Sequence, residues 1–117
     1  MFFAAVLAFF STSAFARDAH EQARINFLLS SVETTKGVAF IRNGSTYDGA
    51  AAAKHLRAKL NYGGERLKTA EDFIKYCATE SSMTHRKYQI RTDDGATTEA
   101  AAYFSSLLRE YDQGQRH

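Results

Sequence analysis

Val38-Ala-Phe-Ile-Arg-Asn-Gly-Ser-Thr-Tyr-Asp48 is the stretch on which the fold turns. Val38 to Arg42 is rich in β-branched and aromatic side chains and reads as a short strand. Asn43-Gly44 follows, a pair that accepts positive φ at both central positions of a tight hairpin turn. Ser45 to Tyr47 returns as a second strand. Asp48 then offers a carboxylate to the free amides of a new helix. That helix carries Ala52, Ala53, Leu56 and Leu60 on one face, and Gly63-Gly64 stops it. A hairpin feeding straight into an amphipathic helix places a small sheet against helices.

The same grammar extends outward in both directions. Asp18 with Glu21 has the spacing of a capping box, and Ile25, Leu28, Leu29 and Val32 recur at helical period. Gly37 is expected to end this helix. Phe27 lies off the stripe, so it meets either a neighbouring element or a partner. On the C-terminal side Thr69 and Asp72 form another capping box, opening a helix with Ala70, Phe73, Ile74 and Cys77 on one side. Ser81 to Lys87 is a polar loop with a basic end. Tyr88 to Arg91 alternates like a half-buried strand, and Asp93-Asp94-Gly95 turns the chain. Thr97 or Thr98 is expected to cap a last helix with the stripe Tyr103, Phe104, Leu107, Leu108 and Tyr111. The expected order is α-β-β-α-α-β-α, a single compact α+β domain whose two- or three-stranded sheet is packed by helices.

Outside this domain the chain changes character. Phe2 to Phe10 is an uninterrupted apolar run, followed by Ser11-Thr-Ser13 and Ala14-Phe15-Ala16. This is the apolar core and small-x-small cleavage site of a secretory signal peptide, and it is too short to cross a bilayer, which takes about 20 apolar residues. Residues 1–16 are therefore read as a signal peptide cut after Ala16, 17–112 as the domain, and 113–117 as a disordered polar tail. The expected location is periplasmic or secreted, with no membrane span after cleavage.

Fifteen basic and thirteen acidic residues leave a net charge of +2, too small for a dedicated nucleic-acid binder. The single cysteine, Cys77, excludes an internal disulfide, so stability rests on packing; its place on an apolar stripe points to burial. Proline is absent, and chain reversals rest on Gly, Asn and Asp.

Phe40-Ile-Arg-Asn-Gly44, Ala53-Lys-His-Leu56 with Lys59-Leu60, Thr69-Ala-Glu-Asp-Phe-Ile74, Ser81-Ser82 and Tyr88 occur in an order that resembles the YfeK-like family, small exported bacterial proteins classed as a domain of unknown function. The resemblance runs from about Ile25 to Tyr111. It implies an envelope location and a compact domain, and it brings no reaction, cofactor or partner. The family pattern has a small residue and a proline where this chain has His85 and Lys87, implying a less rigid loop before Tyr88. Relatives often have a cysteine near Val38, so no disulfide carries over.

Candidate chemistry is sparse. Arg42, at the hairpin mouth beside Asn43, either grips a carboxylate or phosphate with its fork or braces the turn. His55, Lys59 and Tyr62 line one flank of the second helix, with Lys54, Arg57 and Asn61 on the other; this is a basic binding surface or a solvated face. His55 has no His or Cys at ligand spacing, so neither zinc nor any other cofactor is expected. A hydrolase would need Ser81 or Ser82 bonded to His55 or His85 and oriented by Glu80, yet no Gly-x-Ser-x-Gly elbow is present. Paired carboxylates from Glu65, Glu71, Asp72 and Glu80 suit caps and surface better than glycosidase chemistry, and glycine-rich phosphate loops are missing. The favoured reading is a non-enzymatic exported domain that binds or modulates an envelope protein or polymer through Arg42, Asn43, His55, Lys59, Ser82 and His85. A small envelope hydrolase is the alternative. The third reading is an anionic-polymer binder with Lys54, Arg57, Arg86, Lys87 and Arg91 clustered on one face.

Overall fold

The side-chain oxygen of Asp18 accepts the Glu21 amide at 2.9 Å and opens helix α1, Ala19–Thr34. The computed structural model describes residues 17–115, so the stretch 1–16, expected to be a signal peptide cut after Ala16, lies outside the described residues. Only half of the expected capping box forms. The Glu21 carboxylate is drawn instead to Arg24 and to the Ala70 amide at the start of a later helix. The helix ends at Thr34, earlier than Gly37, because the Thr34 and Thr35 hydroxyls bond the carbonyls of Ser30 and Ser31. Gly37, at φ +78°, serves the following turn.

Strands β1, Ala39–Arg42, and β2, Ser45–Asp48, pair antiparallel with Phe40 opposite Tyr47. Asn43 and Gly44 between them have φ of 51° and 82°, as the hairpin dipeptide requires. Asp48 caps the Ala51 amide and starts α2, Gly49–Gly63. A methyl group at Gly49 would lie 2.1 Å from the Val32 carbonyl oxygen, so glycine sets how closely α2 approaches the end of α1. Gly64 closes α2 at φ +56° and leads through a 3₁₀ turn, Gly64–Arg66. Thr69 and Asp72 form a complete capping box on α3, Ala70–Cys77.

The second half departs from expectation in one element. After β3, Gln89–Arg91, the chain turns and makes a further strand, β4, Thr97–Glu99, before α4, Ala100–Gly114. Thr97 and Thr98 therefore pair with Arg91 and Ile90 rather than cap the helix, whose first residue follows Glu99 directly. All three β4 residues are exposed, so no apolar alternation marks them as a strand. The sheet is four-stranded, in the order β2-β1-β3-β4, one strand more than the sequence suggests, within the expected α+β class. Helix α4 continues to Gly114, past the expected tail boundary at Asp112.

One core joins the layers. Ile25, Leu28 and Val32 of α1, Leu56 of α2, Phe73 of α3 and Phe104 of α4 meet Phe40, Tyr88 and Ile90 from the sheet side. Phe27 stacks on Tyr111 with ring centroids 4.7 Å apart, which resolves its position off the stripe. Among the described residues, no helix is long and apolar enough to cross a membrane.

The least apolar part of this interior is Arg24, only 7% exposed. Its guanidinium holds both carboxylate oxygens of Glu71 at 2.9 Å, Asp112 at 2.8 Å and Glu21 at 2.8 Å. One side chain of α1 thereby ties together α3 and α4. These partners hold the guanidinium firmly charged and push the Glu71 carboxyl below its usual value.

Candidate functional site

Helix α2 has two unlike sides. Ala52, Ala53, Leu56 and Leu60 are buried in the core. Ala51, Ala58 and Tyr62 are exposed, with His55 half-buried at the edge of the same outward face. Two clefts open along that face. The larger, about 630 Å³, lies between α2 and α3 and is lined by His55, Ala58, Lys59, Tyr62, Arg66, Leu67, Tyr76, Cys77 and Ser82. The smaller, about 300 Å³, lies beside the hairpin and is lined by Phe40, Arg42, Tyr47, Lys54, His55 and Ala58. His55 and Ala58 belong to both, forming the ridge between them.

The charged groups in the clefts are all basic. Neither lining contains an Asp or Glu. Among the described residues, the ion pairs involve Arg24, Arg57, His85 and Lys87, and none takes Arg42, Lys54, Lys59 or Arg66. Lys59 donates to the Tyr88 hydroxyl at 3.2 Å and the Glu80 carbonyl at 3.3 Å, and lies 5.1 Å from the Tyr88 ring centre. Arg42 sits 5.6 Å over the Tyr47 ring and reaches its hydroxyl at 3.4 Å. These contacts position the cations without neutralising them. Around the larger cleft, Tyr62 and Tyr76 are 88% and 59% exposed, aromatic surface that the core does not use.

His55 Nε2 lies 3.2 Å from the Tyr88 hydroxyl, and the rings meet edge to face. Burial, then the charges of Arg42 and Lys59, hold its pKa below 6.5. The neutral ring is therefore favoured on the ridge. Cys77 forms part of the cleft wall but is 2% exposed, and burial pushes its thiol pKa up, as suits an inert packing residue.

The remaining candidate residues do other work. Asn43 and Ser81 brace the hairpin against the loop after α3: Asn43 Nδ2 donates to Ser81 Oγ at 3.3 Å, and Thr84 donates to Asn43 Oδ1 at 2.5 Å. Ser81 Oγ also accepts the amides of Met83 and Thr84 at 3.2 and 3.3 Å. His85, at φ +62°, bonds Glu80 at 2.8 Å, and Lys87 reaches the other oxygen of Glu80 at 3.1 Å. The loop before Tyr88, expected to be less rigid, is thus tied at several points. Among the described residues, none of the imidazole hydrogen bonds runs to Ser81 or Ser82. The structure therefore gathers His55, Lys59 and Ser82 around the larger cleft, joins Arg42 to them across the ridge, and leaves Asn43 and His85 in loop bracing.

The basic set Lys54, Arg57, Arg86, Lys87 and Arg91 is not the positive surface of the clefts. Arg57 is paired with Glu33 and Lys87 with Glu80, and only Lys54 lines a cleft. Sequence reasoning missed Arg66, Tyr76 and Leu67, which come from the turn and helix facing α2; their contribution depends on how α2 and α3 pack.

A 71-residue stretch is 42% identical to the uncharacterized protein YfeK of Salmonella typhimurium, covering 61% of this chain and 59% of that protein's length. The similarity expected from the motifs between Phe40 and Tyr88 is borne out. No solved structure matches the chain significantly. Residues 19–112 match the family of unknown function DUF5329, and the chain belongs to that family.

Proposed function

We propose that this is an exported, non-enzymatic domain that binds an anionic envelope component in the cleft between α2 and α3. The observation that carries the reading is the cleft lining, where Lys59 and Arg66 have no carboxylate counterpart and two exposed tyrosines flank an apolar floor. A concave, mostly apolar surface with a few convergent polar groups is the usual form of a ligand site. The carboxylate or phosphate of a ligand would complete the charge balance, and the tyrosines would cover its body. The alternative hydrolase is less well supported, because Ser81, His55 and His85 are committed to separate structural bonds and neither imidazole bonds Ser82. Export rests on the apolar leader and its Ala14-Phe15-Ala16 cleavage site.

The test is an amide NMR titration with galacturonate and, separately, inorganic phosphate. Saturable shifts centred on Lys59, Tyr62 and Arg66 support the reading. No shift at these positions with either anion contradicts it.

A further inference from the structure

The two clefts share their wall, and this sets the shape of what they can hold. Ala51, His55, Ala58 and Tyr62 recur along α2 at i, i+4, i+7 and i+11, so one side of the helix forms the floor of both. From Ala51 to Tyr62 the floor runs about 17 Å at the helical rise. At Ala58 the ridge between the clefts carries only a methyl group, beside the half-buried ring of His55. Unpaired cations occur at both ends: Arg42 and Lys54 in the smaller cleft, Lys59 and Arg66 in the larger. Aromatic rings accompany each pair, Tyr47 at one end and Tyr62 with Tyr76 at the other.

We infer that the clefts form one continuous track for an acidic polysaccharide lying along α2 over Ala58. This rests on the proposed binding reading and extends it from one cleft to two, and from an anion to a linear polyanion. A single small anion needs one end only. Two separated, unneutralised ends match a ligand that repeats its negative charge along a chain. Sugar rings present flat C–H faces to tyrosine and a carboxylate at each uronate residue. Nucleic acid offers repeated charge and stacking as well, but a net charge of +2 is low for a chain that must neutralise many phosphates.

Galacturonate oligomers of increasing length test the track against the single cleft. Affinity should rise at least about tenfold, about 1.4 kcal/mol, between the dimer and oligomers long enough to span the floor. Arg66→Glu and Ala58→Glu should weaken every length, since Ala58 lines both clefts, whereas Lys54→Glu should weaken only the spanning oligomers. These three positions are exposed, and unchanged circular dichroism melting verifies the fold. Affinity that does not grow with length overturns the continuous track and leaves the single-cleft reading standing. Oligothymidylate of equal charge binding more tightly at the same salt overturns the polysaccharide assignment. Failure of all oligomers while phosphate still shifts Lys59 and Arg66 overturns it too.

Discussion

The Tyr88 hydroxyl lies 3.2 Å from His55 Nε2 and 3.2 Å from Lys59 Nζ, so a buried phenol on the sheet side fixes two side chains of α2 at the wall of the larger cleft. Tyr88 is 1% exposed. Tyr88→Phe keeps the ring in the core and removes only the bond, at a cost of about 1 kcal/mol. Urea denaturation should register that loss, while His55 loses its hydroxyl partner and Lys59 keeps only the Glu80 carbonyl.

His55 also sets a pH response. Its folded pKa lies below 6.5, the ordinary value approached in the unfolded chain. Between the folded and unfolded values, the unfolded chain binds more protons, so acid draws the equilibrium toward unfolding. The contribution is fully present above the unfolded pKa and is lost as pH falls through it toward the folded value. Between about pH 7.5 and about pH 5.5, His55→Gln should lose less stability than the unsubstituted protein. Parallel melting curves at both pH values would refute this assignment.

Arg24 makes a third prediction. Breaking a buried cation's pairs leaves carboxylates without compensation, and Arg24→Ala should cost about 3 kcal/mol. The cost is no larger because the Glu71 side chain is 64% exposed and partly screened by water. Glu71 has a depressed folded pKa, so its contribution is present above the usual 4.5 and is lost as pH falls through the folded value. Acid unfolding of the unsubstituted protein should therefore steepen below about pH 4.5, and Glu71→Gln should flatten that limb.

Ser81 separates a bracing role from a chemical one. Ser81→Ala strips the acceptor from the Met83 and Thr84 amides and from Asn43. Hydrogen exchange at those two amides should accelerate, with a stability loss of about 1 kcal/mol. Unchanged exchange would show that the hydroxyl is not holding the loop.

The elements fixed by local chemistry were legible in the sequence. Asp48 and Thr69 cap helices, Asn43-Gly44 turns the hairpin, and Cys77 packs inside. What stayed hidden depends on long-range packing. β4 has no apolar residue to betray it, and Arg24 looks like any surface arginine until α3 and α4 bring Glu71 and Asp112 to it. The candidate site divides in the same way. His55 and Lys59 follow from helical spacing, whereas Arg66 and Tyr76 join them only once the turn and α3 fold back beside α2.

The most direct test of the site is paramagnetic broadening by tetragalacturonate carrying a spin label at its reducing end. The account predicts broadening concentrated at one end of the α2 track, near Lys54 or near Arg66, and its disappearance when unlabelled oligomer competes. Competable broadening centred instead on the surface of α4, or none at ligand saturation, would contradict it.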